Sequence, residues 1–249
     1  MSHSRSNPIT MADAINYLVD GFKIAISKEC RLYIIIPVLI NLILMSTLGY
    51  ILYSYISEWI FNMVAMWPEF LAFLAYIISF IFAALIIFVS CYFFTTIATI
   101  IASPFYGMLA DAVELKLNGT KSEDMSWLAI LKDIPRILKR ELQKQLFFIP
   151  LALICLLVTI IPVINFIAPI LWFLLTAWMG CLQYVDYAYD NHKIPFAFMK
   201  ANLKTHPIPT FTFGAVIAFL LAIPILNLLI PPAAVCAGTR YYLEMSKRA

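Results

Sequence analysis

Five polar residues in the middle of the chain recur at the spacing of a single helix face. They are Arg136, Lys139, Arg140, Gln143 and Lys144. Side chains three, four, seven and eight residues apart lie on one side of an α-helix, so this segment predicts a basic stripe. Beside a membrane such a stripe binds anionic lipid head groups, or it attracts an anionic solute and raises its local concentration. The spacing alone leaves both roles open.

A second basic pair, Lys28 and Arg31, stands directly before a long apolar run. The guanidinium group of arginine is a planar fork that binds an oxyanion through two hydrogen bonds. Arg31 and Lys28 are therefore candidate anion-binding residues. The alternative is that both side chains only extend to the lipid head groups. Glu29 lies between them and would repel an anion unless a cation neutralises it.

Catalytic and metal-binding patterns are missing from the sequence. There is no P-loop, HExxH, GxSxG or dinucleotide-binding fingerprint, and the five cysteines include no CxxC pair. Asp186, Asp190 and His192 could relay protons, although a solvated or salt-bridged cytoplasmic loop is the simpler account. The sequence therefore predicts no metal, no cofactor and no enzymatic activity. A net charge of +3 is too small to indicate nucleic-acid binding.

The elements that carry these residues are predicted to be apolar helices. Hydrophobic residues make up 63% of the 249 residues and charged residues only 12%, against about 25% charged in a typical soluble domain. Four long stretches contain no charge at all: between Arg31 and Glu58, between Glu69 and Asp111, between Lys144 and Asp186, and between Lys204 and Arg240. Apolar runs of 18 or more residues indicate membrane-spanning helices. The sequence predicts an all-α integral membrane protein whose single membrane domain comprises residues 1–249.

Two of the apolar runs, 32–57 and 70–102, are predicted to be full transmembrane helices. At 1.5 Å per residue, both are long enough to cross the hydrocarbon core of about 30 Å. The second run leads into residues 103–107, Ser-Pro-Phe-Tyr-Gly. Proline and glycine so close together predict that the helix breaks there.

The other two runs, 146–185 and 208–239, are interrupted by a shared pattern. Both contain Ile-Pro-x-x-Asn-x-x-x-Pro, at 161–169 and at 223–231. Because proline removes a backbone donor and clashes with the preceding turn, each run is predicted to be a hairpin of two short helices that penetrates the membrane only partly. Asn165 and Asn227 would lie at the hairpin tips, where their side chains could bond free backbone groups. The alternative is two full helices with proline kinks.

The N-terminal segment, residues 9–31, is predicted to contain an amphipathic helix. Its apolar residues recur at helical spacing, and Thr10 with Asp13 resembles a capping box. Such a helix lies at the membrane interface or packs against the rest of its own protein, and the sequence does not separate the two.

Basic residues are confined to one side of the predicted topology. The segment 111–144 carries seven lysines and arginines, whereas the connection 57–69 has none. The positive-inside rule therefore places this basic segment and both termini in the cytoplasm. Within the segment, Asp133 and Pro135 predict the start of a helix.

Several stretches resemble the CysZ family of bacterial inner-membrane sulfate transporters. The longest are residues 103–110 (SPFYGMLA), 132–141 (KDIPRILKRE) and 168–196 (APILWFLLTAWMGCLQYVDYAYDNHKIPF), followed by 213–215 (FGA). The resemblance covers nearly the whole chain and implies sulfate uptake for cysteine biosynthesis. It also implies a multi-pass protein of the bacterial inner membrane with two long helices and two partly penetrating hairpins, assembled as a homo-oligomer.

The same resemblance implies a position for the sulfate site. In the family, sulfate is associated with a Gly-Leu/Ile-Arg motif ahead of the first long helix. Arg31 takes the arginine position here, Cys30 precedes it, and Glu29 stands where the glycine would be. Of this motif, only Arg31 carries over.

Two other functions stay open on the sequence. A non-transporting oligomeric membrane scaffold would explain why the spans contain no obvious charged residue, since charges within a membrane usually mark a substrate path. A membrane-embedded enzyme is the other alternative, and it lacks a recognisable set of catalytic residues. The sequence also does not decide whether transport is proton-coupled or passive.

Overall fold

The computed structural model describes residues 9–28, 30–119, 127–223 and 229–247. These residues contain no β-strand and form eight α-helices: α1 (Met11–Ala25), α2 (Arg31–Ala65), α3 (Ala72–Asn118), α4 (Trp127–Ile160), α5 (Ala168–Asn191), α6 (Phe196–Thr205), α7 (Pro207–Leu221) and α8 (Ile230–Ser246). Single turns of 3₁₀-helix, Glu69–Leu71 and Asn165–Ile167, precede α3 and α5.

Four helical segments in the described part of the chain are long and apolar enough to cross a membrane: Arg31–Ala65, Phe73–Asn118, Lys132–Ile160 and Asn165–Asn191. This finding agrees with the predicted all-α membrane protein. The runs 32–57 and 70–102 each lie within one continuous helix, α2 and α3 respectively.

The predicted break at residues 103–107 is wrong, because α3 continues through Pro104 and Gly107 to Asn118. A proline inside a helix costs about 3 kcal/mol relative to alanine. Here the neighbouring side chains Ser103 and Tyr106 are buried, and their packing offsets that cost. Membrane helices also tolerate proline where neighbouring groups satisfy the freed carbonyl.

The predicted helix start at Asp133 and Pro135 is also wrong. Helix α4 begins at Trp127, and Pro135 lies inside it. Asp133 does not cap the helix; instead its Oδ2 atom accepts a hydrogen bond of 2.8 Å from Arg136 Nη2 one turn later. The acidic residue that resembled a helix start therefore belongs to an ion pair within the helix.

The first Ile-Pro-x-x-Asn break is confirmed. Helix α4 ends at Ile160 and α5 begins at Ala168, so two separate helices replace a single kinked one. The turn is closed by the backbone N–H groups of Ile164 and Asn165, which donate to the carbonyl of Ile161 over 3.2 and 3.0 Å. The Asn165 side chain is exposed and makes no hydrogen bond to the described residues, so the expected side-chain capping is not seen.

The second break is consistent with the structure, since α7 ends at Leu221 and α8 begins at Ile230. Pro224 and Asn227, the residues on which that prediction rested, lie outside the described residues. Helix α6, Phe196–Thr205, was not predicted as a separate element.

The N-terminal helix α1 forms with the predicted capping box, in which Thr10 and Asp13 exchange hydrogen bonds. It ends at Ala25 and packs on α8 and α7. At Gly21 the approach to α8 is so close that a Cβ atom would come within 2.7 Å of the Ala233 carbonyl oxygen. Of the two alternatives, the structure favours packing against the protein itself.

The described residues group into two compact units, one from 36–102 and one from 1–35 with 103–249. In the first, Trp59 of α2 and Phe82 of α3 have ring centroids 6.0 Å apart, and most other apolar side chains are exposed. In the second, α5 packs against α7 and α8. The second unit contains every described residue of the candidate site.

Candidate functional site

A cluster of four charged side chains is buried where α4 packs against α5. Arg140, Glu141 and Lys144 lie on α4 and Asp186 on α5, and their side chains are between 1% and 8% exposed. The Nε atom of Arg140 donates a hydrogen bond of 2.8 Å to Asp186 Oδ1. Lys144 Nζ lies 3.3 Å from Asp186 Oδ2. Asp186 therefore bridges both cations.

The second carboxylate of this cluster links it to a third helix. Glu141 Oε1 accepts hydrogen bonds from Lys144 Nζ over 2.6 Å and from Ser103 Oγ of α3 over 3.1 Å. Lys144 Nζ also lies 4.9 Å from the ring centroid of Tyr187, and this ring packs edge-on against Tyr106. Aromatic rings thus cover the Lys144 end of the cluster, whereas Arg140 lies at its more open end.

The buried cluster is electrically balanced, because two cations face two carboxylates. Burying such pairs costs more desolvation energy than packing apolar residues in the same space, so a stabilising role does not explain them well. All four residues fall within helices long and apolar enough to cross a membrane. Ionisable residues within a membrane mark paths for substrates, ions or protons, but these four lie just outside the charge-free runs, at 140–144 and at 186. The apolar runs predicted from the sequence therefore still contain no charged residue.

Arg136 occupies the edge of this cluster. Its Nη1 atom lies 2.5 Å from Asp190 Oδ1 and donates to the Asp190 carbonyl over 2.9 Å, while Nη2 binds Asp133. Its Nε atom is buried without a hydrogen-bond partner among the described residues. Arg140 also reaches this edge, since its Nη1 atom donates to the carbonyl of Ile194 over 3.0 Å.

Asp186, Asp190 and His192 do not form the loop that the sequence suggested. The two aspartates lie in the last two turns of α5, and His192 is the C-cap residue of that helix. The salt-bridged interpretation is confirmed, since both carboxylates pair with arginine.

Side chains beyond the aspartates fasten the end of α5 to α3. Asn191 Nδ2 donates to the carbonyl of Gly107 over 2.8 Å and to Asp111 Oδ1 over 2.9 Å. His192 Nε2 lies 2.9 Å from Glu114 Oε2, and this contact is an ion pair only when the imidazole is protonated. These bonds hold α5, and with it Asp186, at a fixed depth relative to α3.

Beside the cluster, α4, the turn after α5 and α6 enclose an open cavity of about 610 Å³. Four of the five residues of the predicted basic stripe line it: Arg136, Lys139, Arg140 and Gln143. Lys193 and Lys200 add two cations that the stripe did not include. The structure therefore gathers most of the stripe into one wall of a basic cavity.

The other predicted site residues lie elsewhere. Arg31 is the first residue of α2 and Lys28 precedes it in the turn after α1, and both are exposed. Neither side chain forms a hydrogen bond or an ion pair with the residues that the structure describes, and neither lines the basic cavity. Asn165 is at the turn between α4 and α5, as predicted.

Sequence reasoning missed the roles of Glu141, Lys144 and Ser103. Their positions in the sequence could have indicated a pairing. Lys144 and Asp186 are the charged residues at the two ends of the charge-free stretch 145–185, which a hairpin would bring together. Within the described ranges, no group of three or more His, Cys, Asp or Glu side chains could hold a metal ion.

Known proteins resemble the chain over most of its length. A family model described as "Sulfate transporter CysZ/Etoposide-induced protein 2.4" matches residues 17–232. A protein of Vibrio parahaemolyticus is 40% identical over 232 residues, which cover 93% of this chain and 94% of the relative. A Salmonella typhimurium protein is 39% identical over 92% of this chain and 91% of its own. A Pectobacterium atrosepticum protein is 38% identical over 98% and 88%. Each of these relatives is named "Sulfate transporter CysZ".

Proposed function

We propose that this chain, which belongs to the family of the CysZ sulfate transporters, carries sulfate across the bacterial inner membrane and supplies sulfur for cysteine biosynthesis. The observation that carries this proposal is the match to relatives of that name over more than nine-tenths of the chain. The four helical segments long enough to span a membrane and the buried charged cluster agree with a transporter.

The competing functions lose support. Desolvation makes the buried cluster of Arg140, Glu141, Lys144 and Asp186 costly for a purely structural role, and this favours a transporter over a scaffold. Membership of a family of transporters likewise speaks against an enzyme. We keep the homo-oligomer, the cytoplasmic termini and the partly penetrating hairpins as parts of the proposal, on the grounds of the family resemblance and the distribution of basic residues.

Arg31 is our candidate for direct contact with sulfate, with Lys28 as a second cation. Its guanidinium group is exposed and has no carboxylate partner among the described residues, so it is available for an oxyanion. Its position as the first residue of α2 adds the partial positive charge of a helix N-terminus.

Purified protein in proteoliposomes is expected to take up radiolabelled sulfate above empty liposomes, and Arg31→Ala is expected to slow the initial rate about tenfold. The reason is that a hydrogen bond to a charged group contributes roughly 1.5–3 kcal/mol. Lys23→Ala is the control, because Lys23 is an exposed cation of the same N-terminal segment and pairs with Asp20. An unchanged rate in Arg31→Ala would move the site elsewhere. No uptake by well-inserted wild type would favour the scaffold.

We further propose that uptake is coupled to protons. A dianion entering a cell works against the membrane potential at about 2.3 kcal/mol per charge per 100 mV. Protons that enter together with sulfate would offset this cost, because each proton cancels one negative charge of the dianion.

Sulfate accumulation is therefore expected to rise when the external pH is lowered. Each coupled proton raises the ratio of internal to external sulfate about tenfold for a pH difference of one unit. Sulfate accumulation measured under an imposed pH gradient, with the membrane potential clamped, therefore gives the number of coupled protons. Addition of a protonophore should abolish the gain. Accumulation that follows only the sulfate gradient and the potential would instead identify a channel.

A further inference from the structure

The basic cavity beside the buried cluster has a strong imbalance of charge. Its lining contains five cationic side chains: Arg136, Lys139, Arg140, Lys193 and Lys200. Asp190 is the one carboxylate among the described residues that line it, and it pairs with Arg136. Arg140 pairs with Asp186 of the buried cluster, so the excess positive charge comes from lysines, Lys139 and Lys200 among them. Lys139 is exposed and makes no ion pair or hydrogen bond with the described residues. The cavity therefore offers an excess of positive charge to an anionic ligand.

One donor atom in its wall is left without a partner. The Nε atom of Arg136 is buried and donates no hydrogen bond to the described residues. Buried polar atoms usually have a partner. An unused donor beside a basic cavity fits an acceptor that binds there, such as a phosphate oxygen.

Part of the cavity lining is apolar. Phe147 and Phe196 line it, and Lys200 Nζ lies 4.3 and 4.9 Å from the centroids of these two rings. Arg140 Cζ lies 5.3 Å from the centroid of Phe196. The cations therefore stand at the border between a polar and an aromatic surface, and a ligand in this cavity would meet both.

The apolar side continues along α4 away from the cavity. Leu146 begins the apolar run of this helix, and Leu146, Leu153 and Leu157 are exposed large hydrophobic residues. On α6, Phe198 is exposed in the same way. Cations followed by exposed apolar surface match a molecule with an anionic head and hydrocarbon chains.

We propose that this cavity binds the head group of an anionic phospholipid, with its phosphate on Lys139, Lys200 and Arg136. Basic pockets between membrane helices are known to suit such head groups. A free sulfate ion would use the cations but leave the aromatic side and most of the 610 Å³ unfilled. This inference does not depend on sulfate transport, because it concerns lipid binding alone.

The test is native mass spectrometry of the full-length protein in detergent, titrated with phosphatidylglycerol or with phosphatidylcholine of the same chains. The wild type is expected to retain phosphatidylglycerol in preference to phosphatidylcholine. Each lysine near an anionic head group contributes about a fivefold change in affinity, so Lys139→Gln with Lys200→Gln should weaken phosphatidylglycerol binding about 30-fold. Lys204→Gln is the matched control, since Lys204 is exposed on α6 one turn after Lys200 and does not line the cavity.

Three results would overturn the proposal. One is equal retention of the two lipids by the wild type. Another is a loss in Lys204→Gln as large as that in the double variant, since this would reflect general surface charge. The third is complete displacement of phosphatidylglycerol by millimolar sulfate at constant ionic strength, which would assign the cavity to the soluble anion. Because the experiment measures lipid binding and not sulfate uptake, a negative result would leave the transport proposal intact.

Discussion

Asp186→Asn is expected to lower the free energy of unfolding by about 3–5 kcal/mol, the cost of removing one partner from a buried ion pair. Asp186 accepts from Arg140 over 2.8 Å and lies 3.3 Å from Lys144. Without its charge, two buried cations face the single carboxylate of Glu141. The measurement is thermal unfolding in detergent, in which the melting temperature of the purified variant is compared with that of the wild type under the same conditions.

An exposed ion pair provides the control for Asp186→Asn. Glu244→Gln removes the partner of Lys247, whose side chain is 56% exposed and lies 2.9 Å from the carboxylate, and exposed pairs contribute about 0–1 kcal/mol. Lys144→Met added to Asp186→Asn removes one charge of each sign and should restore part of the lost stability. A melting temperature for Asp186→Asn as close to wild type as that of Glu244→Gln would show that the cluster is not sealed from water.

The basic stripe shows how far a local pattern can predict a site. Its spacing correctly placed Arg136, Lys139 and Arg140 on one side of α4. At 3.6 residues per turn, Lys139 and Lys144 lie on opposite edges of that stripe, about 140° apart around the helix. Lys139 is consequently exposed, whereas Lys144 is buried. Periodicity defines the face of a helix, but the packing of α5 decides which edge of it is covered.

The three prolines from which a helix boundary was predicted, Pro104, Pro135 and Pro162, differ in what surrounds them. Pro162 ends α4, and its neighbours Ile161 and Val163 are exposed, so no tertiary packing holds the chain in a helix there. Pro104 lies inside α3 beside the buried Ser103, and Pro135 lies inside α4 between members of an ion pair. Sequence reasoning treats these prolines alike because it cannot see burial. The cluster around Asp186 was hidden for the same reason, since its partners are 42 to 46 residues away along the chain.

The position of Asp186 also depends on how closely α5 approaches α7. Gly214 of α7 lies against the backbone of α5, and a Cβ atom there would stand 1.7 Å from the Ala177 carbonyl oxygen and 2.8 Å from the Cys181 nitrogen. Gly180 faces it, with its own Cβ position 2.9 Å from the Gly214 carbonyl oxygen. Small residues at such contacts let membrane helices pack backbone to backbone.

Gly214→Ala is therefore expected to destabilise the protein by about 3 kcal/mol or more, at the upper end of overpacking effects, because the clash is with backbone that cannot move aside as a side chain does. The measurements are the yield of monodisperse protein in detergent and its melting temperature. Gly49→Ala is the matched control: Gly49 also lies inside a helix, α2, and nothing lies within 4 Å of its Cβ position.

Gly49→Ala should leave the free energy of unfolding unchanged or raise it by up to about 1 kcal/mol, because alanine has the higher helix propensity. The melting temperature is therefore expected to fall in Gly214→Ala and to stay the same or rise in Gly49→Ala. Equal behaviour would mean that α5 and α7 are further apart than the structure has them. Gly214→Ala leaves every charge of the cluster in place and changes the packing of α5 against α7, whereas Asp186→Asn removes one charge, so the two variants test different contributions to stability.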